Sequence, residues 1–327
     1  MPDFSSGTVS EDTMTATTTI SLSPEDNPAG HPLPRLSGGP LSWHGRFEAM
    51  ASPCEILLDN VNHQDAEQAL AFAARETWRL EHKFSRYVSD NQVARINRSK
   101  GQPVTVDDEI ALMLDYAARC HDLSEGRFDI TSGVLRRVWH FDGSDNLPDQ
   151  DETDALLKLV GWNRLSWQRP RLTLPEGMEI DFGGIGKEYA VDRVLLDLEQ
   201  SLPEGSRVLV NFGGDLACNG SRASGKAWTV GVEDHQALSD SSKTLSLYGG
   251  ALATSGDSRR YLQKNGVRYS HILDPHNGWP VPDAPHSITV AAPTCTLAGM
   301  LATFAMLAGR EAEHFLEQQD VQFWVQR

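Results

Sequence analysis

From about residue 208 onward the chain breaks into short β-branched or alternating runs, at residues 208–212, 228–233, 244–248, 251–254, 269–273 and 287–291, divided by Gly, Pro, Asn and Asp turns. The gaps carry no helical pattern of the kind a parallel crossover needs, so antiparallel pairing is favoured. Strands at 172–174 and 178–181 precede a helix from about 186 to 200, and an opening hairpin is expected from residues 46–50 and 55–59 around Ser52-Pro53. The class that accommodates all this is α+β, with largely antiparallel sheets flanked by helices.

Two more helices are legible by period. Ala66, Leu70, Ala73, Thr77, Leu80 and Phe84 recur at spacings of four and three. Ile110, Leu114, Ala117 and Cys120 do the same after Asp107, with Gly126 as the stop. Phe84-Ser-Arg-Tyr87, Ser89 and Asn97 lie between them as a polar and aromatic loop. Residues 1–40 hold 22 Ser, Thr, Pro or Gly, too little apolar surface to offset ordering, so they read as a disordered polar tail ahead of one domain over 41–327.

With 39% hydrophobic and 23% charged residues, the 327-residue chain can bury a real core. Its net charge of −16 argues against binding a nucleic-acid backbone or an anionic membrane through bulk electrostatics. Cys54, Cys120, Cys218 and Cys295 have no metal-ligand spacing and read as buried thiols. Residues 288–309 lack any charge, but Pro293 and four threonines make them a buried strand and helix rather than a membrane span. No secretory leader is visible, so a cytoplasmic location is expected.

Four turns carry candidate chemistry. Gly183, Gly184 and Gly186 lead into a helix whose first amides are unsatisfied and whose dipole end is positive, and Lys187 adds a full charge, which together make an anion site. The spacing is neither that of a phosphate-binding P-loop nor that of a dinucleotide fingerprint. Asn211-Phe-Gly-Gly-Asp215, Thr254-Ser-Gly-Asp257 and His271-Ile-Leu-Asp-Pro275 follow, each with a polar side chain at a turn. For each, capping the turn is the structural alternative to touching a ligand.

In that order, and with Gly126-Arg-Phe-Asp129 and Thr131, these motifs make the stretch from about Arg46 to Val325 resemble the ApbE family of FAD:protein FMN transferases. The resemblance implies a T-fold-related α+β domain with an FAD site in a central cleft. It implies a reaction in which a Ser or Thr hydroxyl of an acceptor redox protein attacks the FMN-side phosphorus of FAD and AMP leaves, with Mg²⁺ neutralising pyrophosphate charge. It assigns Met50, Tyr87, Arg127, Phe128 and Asp129 to the flavin or adenosine, Asp181 and Lys187 to the dinucleotide, and Ile272 to a strand laid on FAD. Gly186 would offer the metal a backbone carbonyl and Thr303 a side-chain oxygen. Asp257 and His271 are the expected pair for proton handling or phosphate orientation. Relatives of this family are often exported.

Three positions depart from the family pattern. Gly299 stands where an acid is usual, four residues before Thr303; Glu188 stands where many members have glycine; Asn277 replaces a common threonine. Loss of the acid should weaken the Mg²⁺ site unless Asp257 or Asp274 substitutes from a neighbouring loop. The alternatives to a transferase are therefore a non-catalytic FAD-binding protein acting as a flavin chaperone, and an FAD pyrophosphatase in which water replaces the acceptor hydroxyl.

Overall fold

The computed structural model describes residues 17–39, 41–232, 243–256 and 260–327. Its strands are β1 (Thr18–Thr19), β2 (Arg35–Gly39), β3 (Ser42–Ala49), β4 (Ser52–Asp59), β5 (Val104–Thr105), β6 (Ser166–Gln168), β7 (Arg171–Thr173), β8 (Arg207–Phe212), β9 (Asp215–Cys218), β10 (Trp228–Val232), β11 (Lys243–Leu247), β12 (Gly250–Gly256), β13 (Tyr261–Lys264), β14 (Val267–Ser270), β15 (Ser287–Ala292) and β16 (Gln322–Gln326). The helices are α1 (His63–Phe84), α2 (Gln92–Asn97), α3 (Asp108–Leu123), α4 (Gln150–Leu157), α5 (Gly186–Ser201), α6 (Cys295–Ala308) and α7 (Ala312–Glu317).

A nine-stranded sheet in the order β1-β2-β3-β4-β8-β9-β12-β15-β16 forms the frame, and every neighbouring pair in it is antiparallel. The α+β expectation holds. Helices α1, α5 and α6 form a layer over it, α1 on β3, α5 on β8 and β9, and α6 on β12 and β15. Alternation along β8 explains why both faces are dry: Val208, Val210 and Phe212 join the core under the helices, whereas Leu209, with Leu216, Cys218 and Leu252, packs on Trp228 and Leu247 of the β10–β11 hairpin. All four cysteines are free and buried.

Part of the stretch expected as a polar tail is structured, because β1 and β2 extend the sheet. Leu36 and Ile20 are 1% and 7% exposed, Ile20 donates its amide to the Pro34 carbonyl at 2.8 Å, and His31 stacks on Trp78 with centroids 4.8 Å apart. Composition over a 40-residue window hides two well-placed apolar residues and a pairing partner that lies outside it. The opening hairpin turns at Met50 and Ala51, both at positive φ of 51° and 55°, so Pro53 lies inside β4 opposite Glu48. Residues 178–181 alternate as a strand should, with Met178 and Ile180 buried, yet form no ladder. The Asn97 side chain stands in for a neighbouring strand, accepting from the Ile180 amide at 2.8 Å and donating to its carbonyl at 3.0 Å. The run expected at 269–273 ends as a strand at Ser270.

Candidate active site at the start of helix α5

The glycine loop is pinned before it turns. Phe182 is 1% exposed and meets Phe84 edge to face, the Asp181 amide donates to the Ile130 carbonyl at 2.9 Å, and the Gly186 amide donates to the Phe182 carbonyl at 2.8 Å. Gly183 and Gly184 are left on the surface, with the Gly183 amide held by Asp181 Oδ1 at 2.9 Å. Close packing explains two glycines here. A Cβ at Gly184 would lie 3.2 Å from Phe128, and one at Gly133 would lie 2.6 Å from the Asp181 Cβ. Asp181 also pairs with Arg86, whose guanidinium sits over the Tyr87 ring and donates to its hydroxyl at 2.7 Å. The Phe84–Tyr87 segment, Phe128 and the loop after Asp181 thus meet at one place, with Tyr87 81% exposed.

Next to it, Lys187 Nζ lies 2.8 Å from Asp215 Oδ2, and the other oxygen of this buried acid accepts the Thr254 amide at 3.0 Å. Burial alone would lower the Lys187 pKa, but the Asp215 carboxylate outweighs it and holds the ammonium above its ordinary value. The Gly213-Gly214 turn, at φ 62° and 99°, packs on Ser52 and brings the Met50 turn alongside; the Gly213 amide donates to the Pro53 carbonyl at 2.9 Å. Met50 itself donates its amide to Glu81 Oε1 at 2.8 Å.

Helices α5 and α6 run antiparallel with matched turns. Asp192 accepts the amides of Cys295 and Thr296 at 2.7 and 2.8 Å, closing the amino end of α6. One turn earlier on α5, Glu188 faces Gly299, one turn later on α6: a Cβ at Gly299 would lie 2.6 Å from Glu188 Cγ and 3.0 Å from its Oε1. Two of the three positions expected to depart from the family pattern, Glu188 and Gly299, are therefore in one contact. Glu188 Oε2 is shut off from solvent without a hydrogen-bond partner among the described residues. Burial, then the Asp215 charge, raises the Glu188 pKa, and Lys187 opposes this in part.

The remaining expected residues lie around this centre. Asp129 is 7% exposed and spends both oxygens on the loop, on the Thr131 amide and hydroxyl at 2.8 and 2.7 Å and on the Trp162 amide at 2.7 Å. It shapes the segment that carries Arg127 and Phe128. Arg127 is exposed at the far end of α6, with Nη1 3.5 Å from the Leu307 carbonyl. Phe128 reaches Phe304 of α6 at 6.3 Å between centroids. Ile272 packs into the α6 core cluster, His271 meets Phe141 edge to face at 6.2 Å, and Asn277 holds its turn by accepting the Trp279 amide at 2.8 Å. Asp257 lies outside the described residues. Asp274 is engaged with His276 at 2.9 Å. Among the described residues no three His, Cys, Asp or Glu side chains gather as a metal cluster.

Sequence reasoning missed Arg86 and the Lys187–Asp215 pairing as units. Arg86 stood inside a motif already singled out, so its charge beside Asp181 was the available signal. Nothing local links residue 187 to 215.

A wide antiparallel sheet under a helical layer, presenting loop amides, a lysine paired to a buried acid and an aromatic loop at the start of one helix, defines the class of this protein as an α+β fold with a glycine-loop site. The chain belongs to the ApbE family, whose sequence model matches residues 50–325. It is 32% identical over 237 residues to the FAD:protein FMN transferase of Vibrio cholerae serotype O1, covering 70% of each chain. With that of Escherichia coli K12 the identity is 30% over 239 residues, 69% of this chain and 67% of the other. The ApbE protein of Thermotoga maritima superposes with a TM-score of 0.76 at 30% identity, covering 87% of this chain and 94% of that one. The flavinyl transferase ApbE of Pseudomonas stutzeri, in apo form, gives 0.75 at 26% identity, covering 86% and 89%.

Proposed function

We infer that this protein transfers FMN from FAD to a Ser or Thr hydroxyl of an acceptor protein, releasing AMP. The observation that carries this reading is the meeting of the α5 glycine loop, Lys187 with Asp215, and the Arg86–Tyr87 and Phe128 segments at one edge of a fold shared with flavin transferases. The new bond joins the acceptor oxygen to the FMN-side phosphorus, the pyrophosphate P–O bond breaks with its electrons leaving on AMP, and the hydroxyl proton departs to a base.

The chain's own residues do the positioning. The Gly184 amide and the Lys187 ammonium meet phosphate charge, while Asp215 fixes where the lysine head sits. Tyr87 and Phe128 offer faces for the ring systems, with Met50 at the neighbouring turn, and Arg127 reaches the same rim. Ile272 supports α6 from below. Asp257 and His271 are the candidate pair for proton handling or phosphate orientation. Bound Mg²⁺ would neutralise the developing charge on the pyrophosphate oxygens. The Gly186 carbonyl and the Thr303 hydroxyl would hold it.

The test is incubation with FAD, Mg²⁺ and an acceptor redox domain, read by intact mass. Addition of one FMN with equimolar AMP is expected. AMP and free FMN without acceptor would favour the pyrophosphatase; FAD binding with neither product would favour the chaperone.

A further inference from the structure

We propose that Glu188 supplies the carboxylate of the divalent-cation site, delivered from α5 into the space that a side chain at position 299 of α6 would otherwise fill. This rests on the transferase reading for the nature of the ligand and deepens it by naming the acid.

Three observations converge. The first is steric: the Glu188 side chain occupies the volume of a residue-299 side chain so fully that a Cβ there would come within 2.6, 3.0 and 3.1 Å of its Cγ, Oε1 and Cδ. Glycine at 299 is thus what makes room for the longer acid from the facing helix. The second is the unanswered oxygen: Oε2 is buried with no hydrogen-bond partner among the described residues, a costly state that a cation would relieve. The third is register. Asp192 meets Cys295 and Thr296, and Glu188 meets Gly299, so each turn back along α5 is one turn forward along α6. Carried one turn further, that register would set the loop at 184–186 against Thr303. Phe128 spans that step, lying 3.2 Å from a Cβ at Gly184 and 6.3 Å from Phe304 between ring centroids. On that register the Glu188 carboxylate, the Thr303 hydroxyl and the Gly186 carbonyl would share one short stretch, a hard-oxygen set suited to Mg²⁺ or Mn²⁺. The acid has changed helices without leaving the site, and neither Asp257 nor Asp274 is needed to replace it.

The test uses the full chain with Mn²⁺ as the probe, followed by calorimetry and by electron paramagnetic resonance of free Mn²⁺, with and without FAD. Glu188→Gln keeps the volume and removes the charge; it should weaken Mn²⁺ binding by about tenfold or more, with the melting temperature of the metal-free protein unchanged or raised. Gly299→Asp alone should destabilise the fold by the clash with Glu188. The exchanged pair Glu188→Gly with Gly299→Asp should recover both folding and Mn²⁺ affinity. Wild-type affinity in Glu188→Gln, or absence of Mn²⁺ binding by the wild type with FAD present, would overturn the proposal. If FMN transfer is intact and Mn²⁺ binding ignores Glu188, this inference fails and the transferase stands. If Mn²⁺ binding depends on Glu188 but no acceptor is ever flavinylated, the transferase fails and the cation site stands.

Discussion

Lys187 and Asp215 form one unit, and what each does depends on the other. Asp215 is almost wholly buried and has two donors, the Lys187 ammonium and the Thr254 amide. Replacing Lys187 with Met keeps the stem but leaves the acid with one. A buried pair broken this way typically costs 3–5 kcal/mol; because the lysine side chain is 28% exposed, about 2 kcal/mol is expected here. Urea titration of Lys187→Met checks this, and wild-type stability would show that water replaces the ammonium without loss. At this scale the sequence was informative about residue types and silent about partners. Lys187 and Asp215 were both visible as loop residues, and Glu188 and Gly299 both as departures. Only the packing of α5 on α6 shows that the two departures answer each other.

Among elements, the interface of α5 with α6 is held at its outer end by Asp192. Its two oxygens close the first amides of α6 and accept the Thr296 hydroxyl at 2.5 Å, in addition to the cap from Thr294. Asp192→Ala should cost about 1–2 kcal/mol and speed amide exchange across the first turn of α6, measurable by hydrogen–deuterium exchange; unchanged exchange would mean that Thr294 suffices. A second tie joins α1 to α3: Glu109 meets Arg79 and Lys83 at 2.8 and 2.7 Å. Burial alone would raise the Glu109 pKa, but the two cations outweigh it and bring it down to about 2. Because the folded value lies below the unfolded one, this contribution is present above the ordinary Glu range near 4.5 and is lost as pH falls from there toward 2. Glu109→Gln should therefore be less stable than wild type at pH 7 and nearly equal to it close to pH 2, as denaturation at the two pH values would show. A gap that persists at low pH would contradict the electrostatic account.

Helices with long apolar faces were legible, since α1 and α3 bury the residues their spacing named. The short α2 was not: three buried residues, Val93, Ala94 and Ile96, make too brief a pattern, and its signal was the Asn91 cap, which accepts the Ala94 amide at 2.8 Å. Strands β9, β13 and β16 are likewise short and take their identity from neighbours.

For the whole molecule, antiparallel pairing followed from strand spacing, but strand order did not. β4 lies beside β8, and β15 beside β16, through contacts that no local pattern encodes. The resemblance carried by ordered loop motifs supplied what periodicity lacked, and the matched fold bears it out. Among the described residues no helix is long and apolar enough to cross a membrane, in keeping with the reading of residues 288–309 as β15 followed by α6. Apolar side chains pack on both faces of the sheet at β8, and the loops at the α5 start are the site proposed above for the ligand.

The measurement that bears most directly on the account is intact mass spectrometry of an acceptor redox domain after incubation with this protein, FAD and Mg²⁺, with AMP quantified in the same mixture. One FMN per acceptor, matched by AMP and abolished by chelation, is the predicted result. An unmodified acceptor with FAD intact, across several acceptors presenting accessible Ser or Thr, would contradict it.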